Sequence, residues 1–435
     1  MTVTVVGLGK IGLPLAVQFA LKGELVFGAD INSKTVALIN DGIAPFPGEQ
    51  DLGKLLREVV DSGKLIATLE TAECVAQSEV VIVVVPLIVD ENAQPDFESI
   101  DSATYEIGRS LKKGTLVSYE TTLPIGTTRK RFAKMLEEVS GLEVGSDFFV
   151  VFSPERVLTG RVFSDLRKYP KIVGGVTPSC AERGAEFYGT MLDFDARNDL
   201  PSVNGVWCLE SSESAEFVKL AETTFRDVNI GLANQFAKFA DKLKLNIFDV
   251  IQAANSQPFS HIHQPGVAVG GHCIPVYPQF YFWGDPEASI VREARSTNVG
   301  MPRYLVDRLN SFQPAIEPKR ALVLGAAYRS EVKELAFSGV YPLVQQLRAN
   351  EYEVEVFDPL FSNQELSEMG LPGMTSNLSE FGVVVIQNSS DEFIEMLSLK
   401  QNWTSLKLIA DGRNLFEGKS PIEGVAILGV GFSFT

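Results

Sequence analysis

Two runs carry residue types that do chemistry together: Val269-Gly270-Gly271-His272-Cys273-Ile274-Pro275 and, far upstream, Gly7-Leu8-Gly9-Lys10-Ile11-Gly12. A glycine loop of the second kind cradles the pyrophosphate of a dinucleotide and so brings an oxidant. A thiol held among glycines can attack an aldehyde, so that an alcohol oxidised once is held on sulfur and oxidised again. The pairing predicts a dehydrogenase that goes beyond the aldehyde.

The glycine loop stands in a telling context. It follows the apolar run Val3–Val6 and opens a helical pattern through Leu13, Val17 and Ala20; a second apolar run, Leu25–Gly28, then ends near Asp30. An acid so placed accepts hydrogen bonds from the adenosine ribose and repels a 2′-phosphate, so NAD is expected rather than NADP. Gly7 suits the tight turn and Gly9 the close approach of the pyrophosphate, while the helix start offers unpaired N–H groups to its charge.

Cysteine is often only a small buried hydrophobe. Gly270 and Gly271 shift the reading, because they remove side chains around the sulfur and let a ligand approach the backbone. His272 is placed to help form the thiolate, if it points that way. His261 and His263 have no acidic or cysteine partner at ligand spacing, so no metal is expected, and loop or sugar-contact roles suit them better. Lys219, Thr223 and Arg226 share one helix face. The plain reading is a solvated edge; the chemical one is a lysine that stabilises the oxyanion of a tetrahedral intermediate or orients water. Ser153-Pro154-Glu155-Arg156 follows an apolar run, where open α/β sheets bind ligands: Glu155 suits a general base, and Arg156 suits a phosphate or carboxylate. Thr121-Thr122-Leu123-Pro124-Ile125-Gly126-Thr127 likewise follows such a run and offers hydroxyls to cofactor or water.

The elements that must position these residues are legible as short apolar runs. Strands are expected at Val80–Val85, Thr115–Tyr119, Phe148–Phe152 and Ile172–Gly174, separated by helical stretches. They imply a parallel sheet with helices on both faces, an N-terminal Rossmann-type NAD domain over residues 1–205. From Ser211, Val218, Ala221, Phe225, Val228, Leu232, Phe236, Phe239 and Leu243 recur at steps of three or four. This predicts one helix of about thirty residues, longer than usual in a globular domain, whose stripe either packs in the core or meets a second subunit. Ser211 or Ser212 can cap it, with Glu213 and Glu216 favourable in the first turns. It anchors a central region over 206–312. Pro314 and Pro318 mark a linker, and Ala321–Leu324, Val354–Phe357, Val383–Ile386 and Leu406–Ala410 read as strands of a Rossmann-like α/β domain over 313–435. There Gly325 leads into Ala326-Ala327-Tyr328, without a dinucleotide fingerprint, and no sequence repeat stands out.

A chain of 435 residues exceeds one ordinary core, which agrees with several domains. With 55 acidic against 38 basic side chains and a net charge of −17, nucleic acid and anionic membrane are not expected partners. Cys74, Cys180, Cys208 and Cys273 are scattered, which points to a reducing compartment, the cytosol. Thr2–Val6 reads directly as a strand, so no secretion signal is expected, and the run Val80–Val89, broken by Pro86, is about half the length that crosses a bilayer.

Taken in order, the motifs resemble the UDP-glucose/GDP-mannose dehydrogenase family of nucleotide-sugar 6-dehydrogenases. The resemblance rests on Gly7-x-Gly9-x-x-Gly12, Thr121-Thr122-x-Pro124-x-Gly126-Thr127, Ser153-Pro154-Glu155-Arg156-Val157, Lys219-Leu220 with Arg226-Asp227-Val228-Asn229-Ile230, and Gly270-Gly271-His272-Cys273-Ile274-Pro275. It implies NAD held by Gly7, Gly9, Lys10, Ile11, Gly12, Asp30, Pro86 and Thr122, a homodimer, and a UDP-sugar held by Arg156, Lys219, Thr223, His263 and Gly270. It further implies a four-electron oxidation at C6, with Cys273 as nucleophile, Lys219 on the oxyanion, and Glu155 and Thr122 handling water. The wording is closer to the branch acting on UDP-N-acetylhexosamines. Four positions depart from the family pattern: Tyr277 stands where an Asp is usual, Thr223 for Asn, Ala268 for Gly and Ala336 for Arg. A catalytically impaired homologue that binds NAD and nucleotide in a regulatory or scaffolding role is the competing implication.

Overall fold

Strand β1 (Thr2–Val6) is buried along all but its first residue, and the glycine loop joins it to helix α1 (Gly12–Leu21), whose Leu13, Leu15, Val17 and Phe19 are all buried. The computed structural model describes residues 1–313 and 315–434. They form two compact units, residues 1–222 with 279–286, and residues 223–278 with 287 onward.

In the first unit, β1 is joined by β2 (Leu25–Ala29), β3 (Leu65–Thr68), β4 (Val80–Val83), β5 (Leu116–Tyr119), β6 (Phe149–Phe152), β7 (Lys171–Gly175), helix α2 (Pro178–Met191) and β8 (Val206–Leu209). The strand order is β8-β7-β6-β5-β4-β1-β2-β3. Helices and strands alternate as the apolar runs require, but the sheet is mixed: β7 pairs antiparallel with β6, Val151 opposite Gly175 and Phe152 opposite Gly174, and β8 follows β7 in parallel. This corrects the all-parallel expectation. A short apolar run reports burial on both faces and says nothing of direction. Continued by three residues, the pairing sets Glu155 opposite Lys171, so the chain re-enters the sheet at the edge it left.

Helix α3 (Ser212–Leu243) spans 32 residues, with Ser211 Oγ accepting the Ser214 N–H at 3.1 Å, as the capping pattern predicts. Its large apolar stripe is not the buried face. Phe225 and Phe239 are each 60% exposed, and Leu232, Phe236 and Leu243 are exposed too, whereas Ala233, Ala237 and Ala240 enter the core. Small side chains let the helix lie close to its own domain.

The second unit holds the cysteine loop, the start of helix α4 (Tyr277–Gly284) and a six-stranded sheet. Its strands are β9 (Arg320–Leu324), β10 (Glu353–Phe357), β11 (Val383–Ile386), β12 (Leu408–Asp411), β13 (Ala426–Gly429) and β14 (Phe432–Phe434), with helix α5 (Val340–Ala349) after β9. The order is β10-β9-β11-β12-β13-β14, parallel except for the final hairpin. Among the described residues no helix is long and apolar enough to cross a membrane.

Candidate active site

The glycine loop is built for close approach. Gly7 has φ +93° and a Cβ there would lie 2.9 Å from the Val84 carbonyl oxygen, while a Cβ on Gly12 would lie 1.8 Å from the Gly7 carbonyl oxygen. Gly9 is exposed and nothing lies within 4 Å of the corresponding point, so the space above it is open. Lys10 and Ile11 complete the turn, both half-buried. Asp30 accepts the Leu8 N–H on Oδ2 and the Asn32 N–H on Oδ1, each at 2.8 Å, which orients the carboxylate and leaves acceptor capacity for ribose hydroxyls. Thr121 Oγ1 donates to the Val85 carbonyl at 2.7 Å, tying the threonine loop to the exposed Pro86 turn. These residues fit a dinucleotide.

Thr122 is buried beside this turn, and its loop is held by a residue whose sequence context marks it only as a favourable acid in the first turns of α3. Glu216 on α3, fully buried, accepts the N–H groups of Gly126 and of Thr128, the latter at 2.8 Å. Burial pushes its carboxyl up to about 7 against the pull of those two donors. One helical turn later Lys219 Nζ donates to the Glu155 carbonyl at 2.6 Å. Thus α3 holds the 121–128 loop through Glu216 and the Glu155 carbonyl through Lys219, all within the first unit.

The Glu155 side chain is 8% exposed and ion-paired with Lys171 Nζ, which also meets Glu120 Oε2 at 2.8 Å. Burial opposes its charge, but Lys171 and a hydrogen bond with Glu120 hold the Glu155 carboxyl below its ordinary value. Arg156 is paired with Glu222 and donates to the Pro170 carbonyl at 3.3 Å, so an anion reaching it competes with a carboxylate.

Cys273, Gly270, Thr223 and His263 lie in the second unit. Cys273 is an exposed free thiol whose carbonyl accepts the Tyr277 N–H at 2.9 Å, so it opens α4. The flanking glycines do not simply clear room for a ligand. A Cβ on Gly270 would lie 2.6 Å from Tyr328 Cβ, and one on Gly271, φ +91°, would lie 2.9 Å from the Tyr328 ring. Gly271 N–H donates to the Ala336 carbonyl at 2.8 Å, and His272 Nε2 pairs with Glu334. The histidine is engaged by the loop 325–339 rather than by the sulfur, and that loop pins the backbone beside Cys273. Tyr328 and Glu334 left no sign in the sequence beyond an interrupted strand–helix pattern. Ala336 contributes here by its carbonyl, which any residue type provides.

Thr223 is buried on α3, one turn from Lys219. The His263 N–H donates to Asn229 Oδ1 at 2.9 Å, and burial, then Arg226, lowers the His263 pKa. Among the described residues no three His, Cys, Asp or Glu side chains stand together as metal ligands.

Comparison with known proteins accounts for nearly the whole chain. Residues 1–192 match the NAD binding domain of the UDP-glucose/GDP-mannose dehydrogenase family, 213–299 its central domain and 322–418 its UDP binding domain. The UDP-N-acetyl-D-mannosamine dehydrogenase of Pyrococcus horikoshii is 35% identical over 444 residues, covering 99% of both chains. That of Campylobacter jejuni is 34% identical over 411 residues, covering 92% of this chain and 97% of its own. Among solved structures, the Pyrococcus horikoshii UDP-D-ManNAc dehydrogenase superposes with a TM-score of 0.87 at 32% identity, covering 99% of each chain. The Staphylococcus aureus UDP-N-acetyl-mannosamine dehydrogenase gives 0.81 at 32% identity, covering 99% of this chain and 98% of the other.

Proposed function

The chain belongs to the UDP-glucose/GDP-mannose dehydrogenase family, an NAD-binding oxidoreductase, and from that membership we propose that it oxidises C6 of a UDP-N-acetylhexosamine, N-acetylmannosamine first, to the uronic acid. The observation that carries this reading is the exposed thiol of Cys273 on a loop fixed at Gly270, Gly271 and His272. NAD, when bound along Gly7–Gly12, Asp30 and Thr122, supplies a hydride acceptor for each of the two oxidations. Between them the Cys273 sulfur adds to the C6 aldehyde, and the thiohemiacetal becomes a thioester on the second oxidation. Lys219, already donating to the Glu155 carbonyl, is suited to the oxyanion that each addition creates. Glu155 takes a proton from the hydrolytic water as the C–S bond breaks and the thiolate returns to Cys273. Thr122 orders that water, and Arg156, Thr223, His263 and Gly270 are assigned to the UDP-sugar.

Functionally we divide the chain at residues 1–205, 206–312 and 313–435, and assign the reaction to the cytosol, in keeping with its four free cysteines. The exposed stripe Phe225, Leu232, Phe236, Phe239 and Leu243 supports a homodimer through α3; Phe225→Asp with Phe239→Asp should shift the particle to half its mass by light scattering.

The decisive experiment counts NADH per sugar consumed on a panel of UDP-sugars, beside Cys273→Ala. Two NADH per uronic acid, abolished by Cys273→Ala with NAD binding intact, is the expected result. One NADH would place the block after the aldehyde. No turnover with normal NAD binding would make the chain a nucleotide-binding homologue, the role that Tyr277, Thr223 and Ala336 favour.

A further inference from the structure

The reversal of β7 has a chemical consequence. Because β7 runs antiparallel to β6, its first residue, Lys171, faces Glu155 at the strand's end; β5 runs parallel to β6 with Tyr119 opposite Phe152, which brings Glu120 to the same edge. Lys171 is 4% exposed and Glu120 3%, and the ammonium sits between the carboxylates of Glu120 and Glu155. Tyr188 on α2 donates to Glu120 Oε1 and exchanges a hydrogen bond of 2.7 Å with Ser118, and its ring lies 4.7 Å from Lys171 Nζ. Among the described residues Lys219 on α3 also faces Glu155 with its charge, whereas Arg156 turns to Glu222.

We propose that Lys171 and Glu120 are positioning residues for Glu155, fixing its carboxylate and making the water step respond to the protonation of Glu120. Two carboxylates around one ammonium would leave a net negative charge without solvent, which is costly. Holding one proton makes the trio neutral. The two acids divide that proton unequally. Burial and the charge of Glu155 push Glu120 up to about 8, whereas Lys171, Glu120 and Lys219 keep Glu155 ionised. While Glu120 carries the proton, a second proton arriving on Glu155 from water leaves the trio positively charged. Once Glu120 is ionised, the same transfer restores neutrality. The hydrolysis of the Cys273 thioester therefore speeds up as pH rises through about 8.

The inference rests on the reading that Glu155 handles water, and the experiment separates the two. Acid-quenched intact mass follows the decay of the thioester on Cys273 as a function of pH, in the wild type, Glu120→Gln, Lys171→Arg and Glu155→Gln, with KM for the UDP-sugar beside it. Glu120→Gln is nearly isosteric and should lose the inflection near pH 8, its decay staying at the wild-type neutral-pH level while KM stays within about twofold. Lys171→Arg should keep an inflection and move its midpoint. A wild-type inflection surviving in Glu120→Gln overturns the proposal, as does a wild-type profile flat from about pH 7 to 9, which requires no variant to fold. A thioester that decays normally in Glu155→Gln instead removes the role of Glu155 itself.

Discussion

The two α/β domains begin with the same turn and use it differently. In the first, Gly7 at φ +93° donates its N–H to the Ala29 carbonyl at 2.8 Å, and Asp30 beyond β2 accepts the N–H of the next residue, Leu8. In the second, Gly325 at φ +103° donates to the Phe357 carbonyl at 2.8 Å, and Asp358 beyond β10 accepts from Ala326 and Ala327, at 2.8 and 2.9 Å. From there they part. Gly12 lets α1 start almost at once above an open Gly9, and Asp30 stays half-exposed; α5 starts only at Val340, Asp358 is 2% exposed, and Asn388 fills the space over Gly325. The intervening loop carries Tyr328, Glu334 and Ala336 to the cysteine loop. One turn can present a helix start to a diphosphate, or, with the helix delayed, hold the loop that carries Cys273.

The sharpest break in this comparison is at the glycines. Gly12→Ala would put a methyl 1.8 Å from the Gly7 oxygen, so it should cost more than about 3 kcal/mol in denaturant unfolding and abolish NAD binding. Gly325→Ala, meeting Asn388 Oδ1 at 2.4 Å, should destabilise comparably yet leave the NAD affinity of folded protein unchanged. Gly9→Ala should leave stability within about 0.5 kcal/mol and weaken NAD at least tenfold in titration calorimetry, since only the ligand needs that space. Equal destabilisation at Gly9 and Gly12 would remove the claim that one glycine serves the ligand and the other the fold.

The two aspartates offer a second contrast. Asp358→Asn replaces a buried acceptor of two N–H groups and should cost about 2 kcal/mol of stability. Asp30→Asn should cost less and raise the dissociation constant for NAD about tenfold, with discrimination against NADP reduced. At the cysteine loop, Glu334→Gln should lower kcat about tenfold without changing NAD affinity, because it loosens the His272 anchor rather than the dinucleotide loop.

What could be read from the sequence follows the same division. The glycine loop, Asp30, Cys273 and the strand runs are legible because each demands particular residue types at fixed spacing. The correspondence of Gly7 and Gly325 was not, since the shared geometry needs only a glycine and a distant aspartate. The direction of β7, and with it the pairing of Lys171 with Glu155, left no mark either, as Ile172–Gly174 is apolar whichever way it runs. The α3 stripe left two readings open, core packing or a subunit contact, because Phe225, Leu232 and Phe239 have a period that serves either; within the chain they are exposed and alanines do the packing. Glu216 was noted for its favourable place in the first turn, where the helix start welcomes an acid, and its grip on Gly126 and Thr128 depends on a loop ninety residues away in sequence.

That grip yields the smallest of the expected effects, and no counterpart to it is required by the C-terminal turn. The folded state raises Glu216 from an ordinary value of 4.5 to about 7, because burial outweighs its two N–H donors. Between those values the folded protein binds more protons than the unfolded chain, so this residue stabilises below about pH 4.5 and the contribution fades as pH rises through about 7. Glu216→Gln keeps a neutral acceptor in place and should flatten the fall in stability from pH 5 to pH 7.5 by about 1–2 kcal/mol in urea unfolding. NAD affinity should change little at low pH, where wild-type Glu216 is neutral too, and diverge at high pH, where only the wild type has a carboxylate to hold the Thr122 loop. Parallel stability curves for the two proteins would show that Glu216 is ionised throughout and that its donors, not burial, set its charge.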